Sequence, residues 1–158
     1  MPIETAVEED FSAWAQFAPG TFADACAWFA CRENCICMIA SRRWRGGKVL
    51  CPVCGAEGAR YLATRAVWEC RNDHPKQQFS VRAGTLLEDS HVTLEQWLTA
   101  IWMLANAETR ISSHELARRL GITQKSAWFL LRRMRSAFQL GRTRQLARTG
   151  LRAVCKGF

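Results

Sequence analysis

The spacing of apolar residues changes period twice along this chain, and each change marks an element. From Thr21, Phe22, Cys26 and Phe29 fall on one helical face. Apolar content continues through Ile36 and Ile39 toward Arg42, which predicts one long helix or two short ones. Thr21-Phe22-Ala23-Asp24 supplies the start, since a threonine hydroxyl can accept the N–H three residues on while Asp24 reaches back. Arg45-Gly46-Gly47 ends this pattern. Short alternating runs then predict strands near Val49, at Tyr61–Thr64, at Val67–Glu69 and at Gln78–Arg82. The helical period returns at Thr93, where Gln96 completes a capping box and Leu94, Trp97, Leu98, Ile101 and Ala105 form a stripe.

The block Ser113 to Arg132 reads as two helices about a tight corner. With Gly121 as the turn glycine, Leu116, Leu120, Ile122, Ala127 and Leu130 take the buried positions, and small Ala117 sits where the helices cross. Ser112 with Glu115 caps the first helix and Thr123 with Ser126 the second. The stripe from Leu94 packs behind them, which predicts a three-helix, helix-turn-helix domain. Along Gln124–Gln139, Ala127, Leu130, Leu131, Met134 and Phe138 share the core sector, while Lys125, Phe129, Arg132 and Arg133 point outward. Trp128 lies at the flank and is expected to pack on the helix carrying Trp97 and Trp102.

Four side chains between the two helical regions have metal-ligand spacing. Cys51-Pro52-Val53-Cys54-Gly55 and Cys70-Arg71-Asn72-Asp73-His74 form two knuckles, with fifteen residues between Cys54 and Cys70. Paired thiolates grip one side of a tetrahedral ion, and a hairpin returns the second pair. Cys51, Cys54, Cys70 and His74 therefore predict one structural Zn2+ per chain. Four protein ligands fill the shell and leave no position for catalysis. Residues 48–82 are too few to bury an adequate core, so metal binding, worth about 10–16 kcal/mol in such sites, is expected to drive their folding. Cys31, Cys35 and Cys37 lack a fourth ligand and hairpin spacing, and are expected to be helical thiols.

Composition narrows the class. The 158 residues are 49% hydrophobic, as in a globular chain, and the formal net charge is +8. No basic start with an apolar run marks a secretory signal, and no long apolar span follows, so a cytoplasmic, nucleoid-associated protein without membrane contact is expected. The charge is uneven. Residues 1–40 hold six acids against Arg32 alone, whereas residues 116–158 hold eleven Lys or Arg and no acid. Such a basic half supplies sequence-independent affinity for nucleic acid. Thr123, Gln124, Lys125, Phe129, Arg132, Arg133 and Arg135 are accordingly the candidate DNA-binding residues. Gln124 and Lys125 are placed to reach base edges, and the three arginines to reach phosphates.

The fold class expected is α+β: an N-terminal helical segment (1–46), a small zinc ribbon with a short antiparallel sheet (47–86), a helix-turn-helix domain (87–140) and a disordered basic tail (141–158). Cys51-Pro52-Val53-Cys54-Gly55, Gln78-Phe79-Ser80-Val81-Arg82-Ala83-Gly84-Thr85, Glu88-Asp89-Ser90, Trp97 and Gly121-Ile122-Thr123-Gln124-Lys125-Ser126-Ala127-Trp128-Phe129 resemble the N-terminal region of a bacterial and archaeal insertion-sequence transposase family, over about residues 35–138. The resemblance implies a zinc ribbon and a helix-turn-helix that recognise the element's terminal inverted repeats in double-stranded DNA, ahead of a DDE-type, RNase H-like catalytic domain. Cys51, Cys54, Cys70 and His74 match that family's ribbon ligands. Arg45 stands where the family usually has proline, the segment around Ala25 to Arg32 is longer than usual, and the likeness stops after Gln139.

DNA strand transfer of that type needs acids holding two divalent ions. The last acid here is Glu115, so the chain is expected to bind DNA without being an enzyme itself, as a truncated transposase that can interfere with a full-length relative. A zinc-ribbon, helix-turn-helix transcription regulator and a protein-interaction adaptor are the alternatives.

Overall fold

The computed structural model describes residues 19–139 apart from Arg45 and Glu108. The tail at 141–158, the acidic stretch before Pro19 and the turn position of Arg45 lie outside the described residues. Those residues form five helices and one three-stranded antiparallel sheet, an α+β chain. They divide into two compact units, one of residues 36–88 and one of residues 19–35 with 89–139. The division falls inside the second helix, so the helical segment expected over 1–46 contributes to both.

Helix α1 (Phe22–Phe29) begins at the capping box read from the sequence. Thr21 Oγ1 accepts the Asp24 N–H at 3.2 Å, and Asp24 Oδ2 accepts the Thr21 N–H at 3.2 Å. The choice between one long helix and two short ones resolves as two, because α2 (Arg32–Arg43) starts afresh. Side chains from the start of α2 reach back to carbonyls at the end of α1. The Asn34 amide donates to the Trp28 carbonyl at 3.0 Å, and the Cys35 thiol to that of Phe29 at 3.3 Å.

In the same unit α1 packs on α3 (Leu94–Asn106), α3 on α4 (Ser113–Leu120), and α4 on α5 (Gln124–Gln139). Leu94, Trp97, Leu98, Met103, Leu116, Ala127, Leu130, Leu131 and Met134 make the core, while Leu120 and Ile122, expected inside, are half-buried. Helix α3 carries its full capping box at Thr93 and Gln96. At α4 the serine half of the cap forms, with Ser112 Oγ accepting the Glu115 N–H at 3.2 Å; the Glu115 carboxylate pairs with Arg119 at 3.1 Å. Gly121 takes the left-handed conformation at φ 64°, and the Ile122 N–H turns back to the Ala117 carbonyl at 3.1 Å.

Trp128 contradicts the expectation. It does not pack on α3 but stands 48% exposed. Its position on α5 lies outside the sector of Ala127, Leu130, Leu131 and Met134. The Trp102 indole is already engaged, donating to the Pro19 carbonyl at 3.1 Å with its ring 6.1 Å from Phe22.

The other unit is built around one tryptophan. Strands β1 (Arg60–Leu62), β2 (Val67–Glu69) and β3 (Gln78–Phe79) pair in that order, with Tyr61 opposite Trp68 and Trp68 opposite Phe79. Trp68 is fully buried, with Trp44 at 4.9 Å and Tyr61 at 4.8 Å between ring centres. The strand expected near Val49 is only a bridge between Leu50 and Glu57. The strand expected through Arg82 ends at Phe79. Ser80 Oγ accepts the Arg82 N–H at 3.2 Å and the Thr85 hydroxyl donates to the Arg82 carbonyl at 2.6 Å, which coils the chain into successive turns.

Two substitutions measure the helical corner. A Cβ at Gly121 meets nothing within 4 Å, so Gly121→Ala should lose only the conformational advantage of glycine, about 1–2 kcal/mol. Leu116→Ala opens a cavity in the fully buried crossing and should cost about 2–5 kcal/mol. Urea denaturation checks both, and equal losses would place the strain elsewhere.

Candidate metal centre and nucleic-acid interface

The first knuckle folds because Cys51 closes two hydrogen bonds around it. Its N–H donates to the Ala56 carbonyl at 2.9 Å and its carbonyl accepts the Gly55 N–H at 2.9 Å, with Gly55 at φ 72°. Cys70 follows β2 directly, and its N–H donates to the Gln77 carbonyl at 2.9 Å, closing the loop that carries His74. These two turns bring the ligand atoms of Cys51, Cys54, Cys70 and His74 within 4.8 Å of one another. Cys51 Sγ lies 3.4 Å from His74 Nε2 and Cys54 Sγ 3.5 Å from Cys70 Sγ. A tetrahedral ion with bonds of about 2.0–2.3 Å needs edges of roughly 3.3–3.8 Å. The cluster can therefore hold a metal ion.

The surrounding hydrogen bonds suit that task. His74 Nδ1 lies 2.8 Å from the Pro75 carbonyl, so it carries the proton and leaves Nε2 to face the sulfurs. The Val53 N–H points at Cys51 Sγ at 3.4 Å, and the Asn72 amide at Cys54 Sγ at 3.7 Å. Burial opposes ionisation of Cys51, but the Cys54 and Val53 N–H groups, with the Cys54 and Cys70 thiols, outweigh it and bring Cys51 down to about 6. Burial first, then the neighbouring sulfurs, raises Cys70. The Pro75 carbonyl, reinforced by Cys51, raises His74. One sulfur is thus ready to ionise, and a cation displaces protons from its neighbours.

The remaining sequence-predicted residues lie on α5 and the turn before it. Thr123 Oγ1 caps α5 by accepting the Ser126 N–H at 3.2 Å. Gln124, Lys125, Phe129, Arg132, Arg133 and Arg135 are all exposed, and α5 contains no acid. Two further residues touch members of this set. Trp128 joins Phe129, their rings 5.1 Å apart, and Arg132 lies over Trp128 at 5.4 Å. His114, from the first turn of α4, meets Gln124 with their Nε2 atoms 2.9 Å apart. Helical spacing places Trp128 beside the basic stripe, a signal the apolar character of tryptophan masks; the His114 contact joins residues ten apart and has no local signature.

The other cysteines do not join a ligand group among the described residues. Cys35 is pushed up to about 12, chiefly by burial and then by Glu95, and Cys31 Sγ faces the Glu33 carboxylate at 3.3 Å. No described helix is long and apolar enough to cross a membrane.

Elemental analysis of the gently purified protein should find one metal ion per chain, and none in Cys54→Ser. In a chelator competition metal affinity should fall from pH 8 downward, because Cys70, held above the usual thiol range, must give up its proton throughout, and should fall more steeply below about 6, where Cys51 is protonated as well. Cys51 is held below its usual range in the fold, so its thiolate favours the folded site above that pH and is lost below it. Affinity flat from pH 8 to 5 would contradict this assignment. Set against protein-family models, curated proteins and solved structures, the chain finds no match.

Proposed function

We propose that this chain is the DNA-binding part of an insertion-sequence transposase, with residues 47–86 as a zinc ribbon and residues 87–140 as a helix-turn-helix that recognises the element's terminal inverted repeats. One observation carries the reading: α5 follows a left-handed glycine turn and presents Gln124, Lys125, Phe129, Arg132, Arg133 and Arg135 outward with no acid among them. A solvated helix normally mixes both signs. A uniformly basic face that also exposes Trp128 and Phe129 matches the backbone and the base edges of a duplex, with phosphates taken by arginine and thymine methyls by aromatic rings.

The ion that Cys51, Cys54, Cys70 and His74 would hold is Zn2+, since three thiolates and an imidazole are its preferred donor set. Its role is structural: it joins two turns that share a small sheet. The part assigned to the described residues is DNA binding and not strand transfer. Among the described residues the Cys3His set is the one close group of three or more metal-ligating side chains, and it has no carboxylate to hold a pair of Mg2+ ions. A polypeptide of these residues would compete with a transposase of that family for the same DNA ends.

Fluorescence anisotropy with duplex DNA at two salt concentrations tests the reading. Arg132→Ala with Arg133→Ala should weaken binding to every sequence and make the salt slope shallower by about 2. Gln124→Ala should reduce discrimination between sites by about 1–3 kcal/mol. Unchanged affinity in the double arginine variant would move the DNA surface away from α5, and a lack of salt dependence would favour a protein-interaction adaptor. With Mg2+ or Mn2+ the bound duplex should stay intact; metal-dependent nicking abolished by changing one acid would overturn the non-catalytic assignment.

A further inference from the structure

The side chain expected to read a base is held from behind. Gln124 is the first residue of α5, and its amide Nε2 lies 2.9 Å from Nε2 of His114. Both side chains are exposed, so nothing in the core forces them together. They come from the two helices of the corner, and Gly121 sets the distance between those helices. A free glutamine at a helix start samples several rotamers and both amide orientations. Fixing it before DNA arrives removes that entropy from the binding step.

We propose that His114 is a positioning residue that orients the Gln124 amide for adenine, an inference that rests on the DNA-binding reading of α5. With the proton on Nδ1, His114 Nε2 accepts one of the two Gln124 Nε2 hydrogens. The second hydrogen and the Oε1 lone pairs stay free. Adenine offers a matching pair in the major groove, an N7 acceptor and an N6–H donor, and a glutamine amide meets both at once. The histidine thereby decides which end of the amide is nitrogen. Reversing it would set donor against donor at N6 and acceptor against acceptor at N7. Discrimination then belongs to a pair of residues, one on each helix, and the histidine needs no base contact of its own.

The test selects sites from a duplex library randomised over twenty base pairs, using the zinc-loaded full chain and His114→Ala, His114→Gln and Gln124→Ala. The wild type should enrich adenine at one position. Gln124→Ala and His114→Ala should each lower that preference about tenfold at the same position, with preferences elsewhere unchanged. His114→Gln, whose side-chain oxygen can accept the same hydrogen, should restore most of it. Affinity for a mixed-sequence duplex at low salt, and the melting temperature, should stay near wild type in His114→Ala; this separates orientation from loss of fold. Adenine preference retained in His114→Ala but lost in Gln124→Ala would overturn the inference, as would binding without base preference in the wild type. Absence of DNA binding would remove the reading beneath it.

Discussion

The carbonyl of Ala117 is the pivot of the helical unit. It receives N–H groups from both Gly121 and Ile122, and that pair of hydrogen bonds ends α4 and turns the chain into α5. The turn needs a left-handed residue, and Gly121 supplies it without a Cβ to strain. An eight-residue helix such as α4 has little stability of its own; it persists because Leu116 and Ala117 are buried where α4 packs on α5. The same crossing decides what α5 shows to solvent. With Ala127, Leu130, Leu131 and Met134 committed inward, Lys125, Trp128, Phe129 and Arg132 have only the outer face left.

The smaller unit solves a different problem. Its strands are two or three residues long, and one fully buried tryptophan flanked by Trp44, Tyr61 and Phe79 makes up much of its aromatic core. Such a sheet is marginal without a cross-link. The Cys3His cluster joins the knuckle at Cys51 to the loop after β2, across a gap that the register of β1 and β2 closes. The Val53 N–H at Cys51 favours a thiolate there and the Pro75 carbonyl fixes the His74 tautomer, so part of the donor set is arranged before any cation arrives.

Features coded within a few residues were the legible ones. The boxes at Thr21 and Thr93, the αL turn at Gly121 and the Cys-x-x-Cys knuckle each depend on a local hydrogen bond or a single backbone conformation, and the structure contains all four. What the sequence left open depends on contacts that match no capping or turn signature, even where they are short in range. The break between α1 and α2 is held by Asn34 and Cys35 reaching back to Trp28 and Phe29, and the strand at Gln78 is cut short by Ser80 and Thr85 side chains. Trp128 departs from expectation because its angle on the helix, and not its hydrophobicity, sets its exposure. The close approach of Cys51 to His74 is implied by spacing alone, whereas the approach of His114 to Gln124 follows only once the corner is built.

On the proposed function, the outer face of α5 is a DNA-reading surface. Its most direct test follows backbone amide signals of the zinc-loaded, isotope-labelled protein while a duplex is added at two salt concentrations. Shifts should be concentrated from Ser112 to Ser136, strongest at Gln124, Lys125, Phe129 and Arg132, and should shrink as salt rises. Shifts confined to residues 48–82, or no shifts at a duplex concentration that saturates other basic helices, would contradict it.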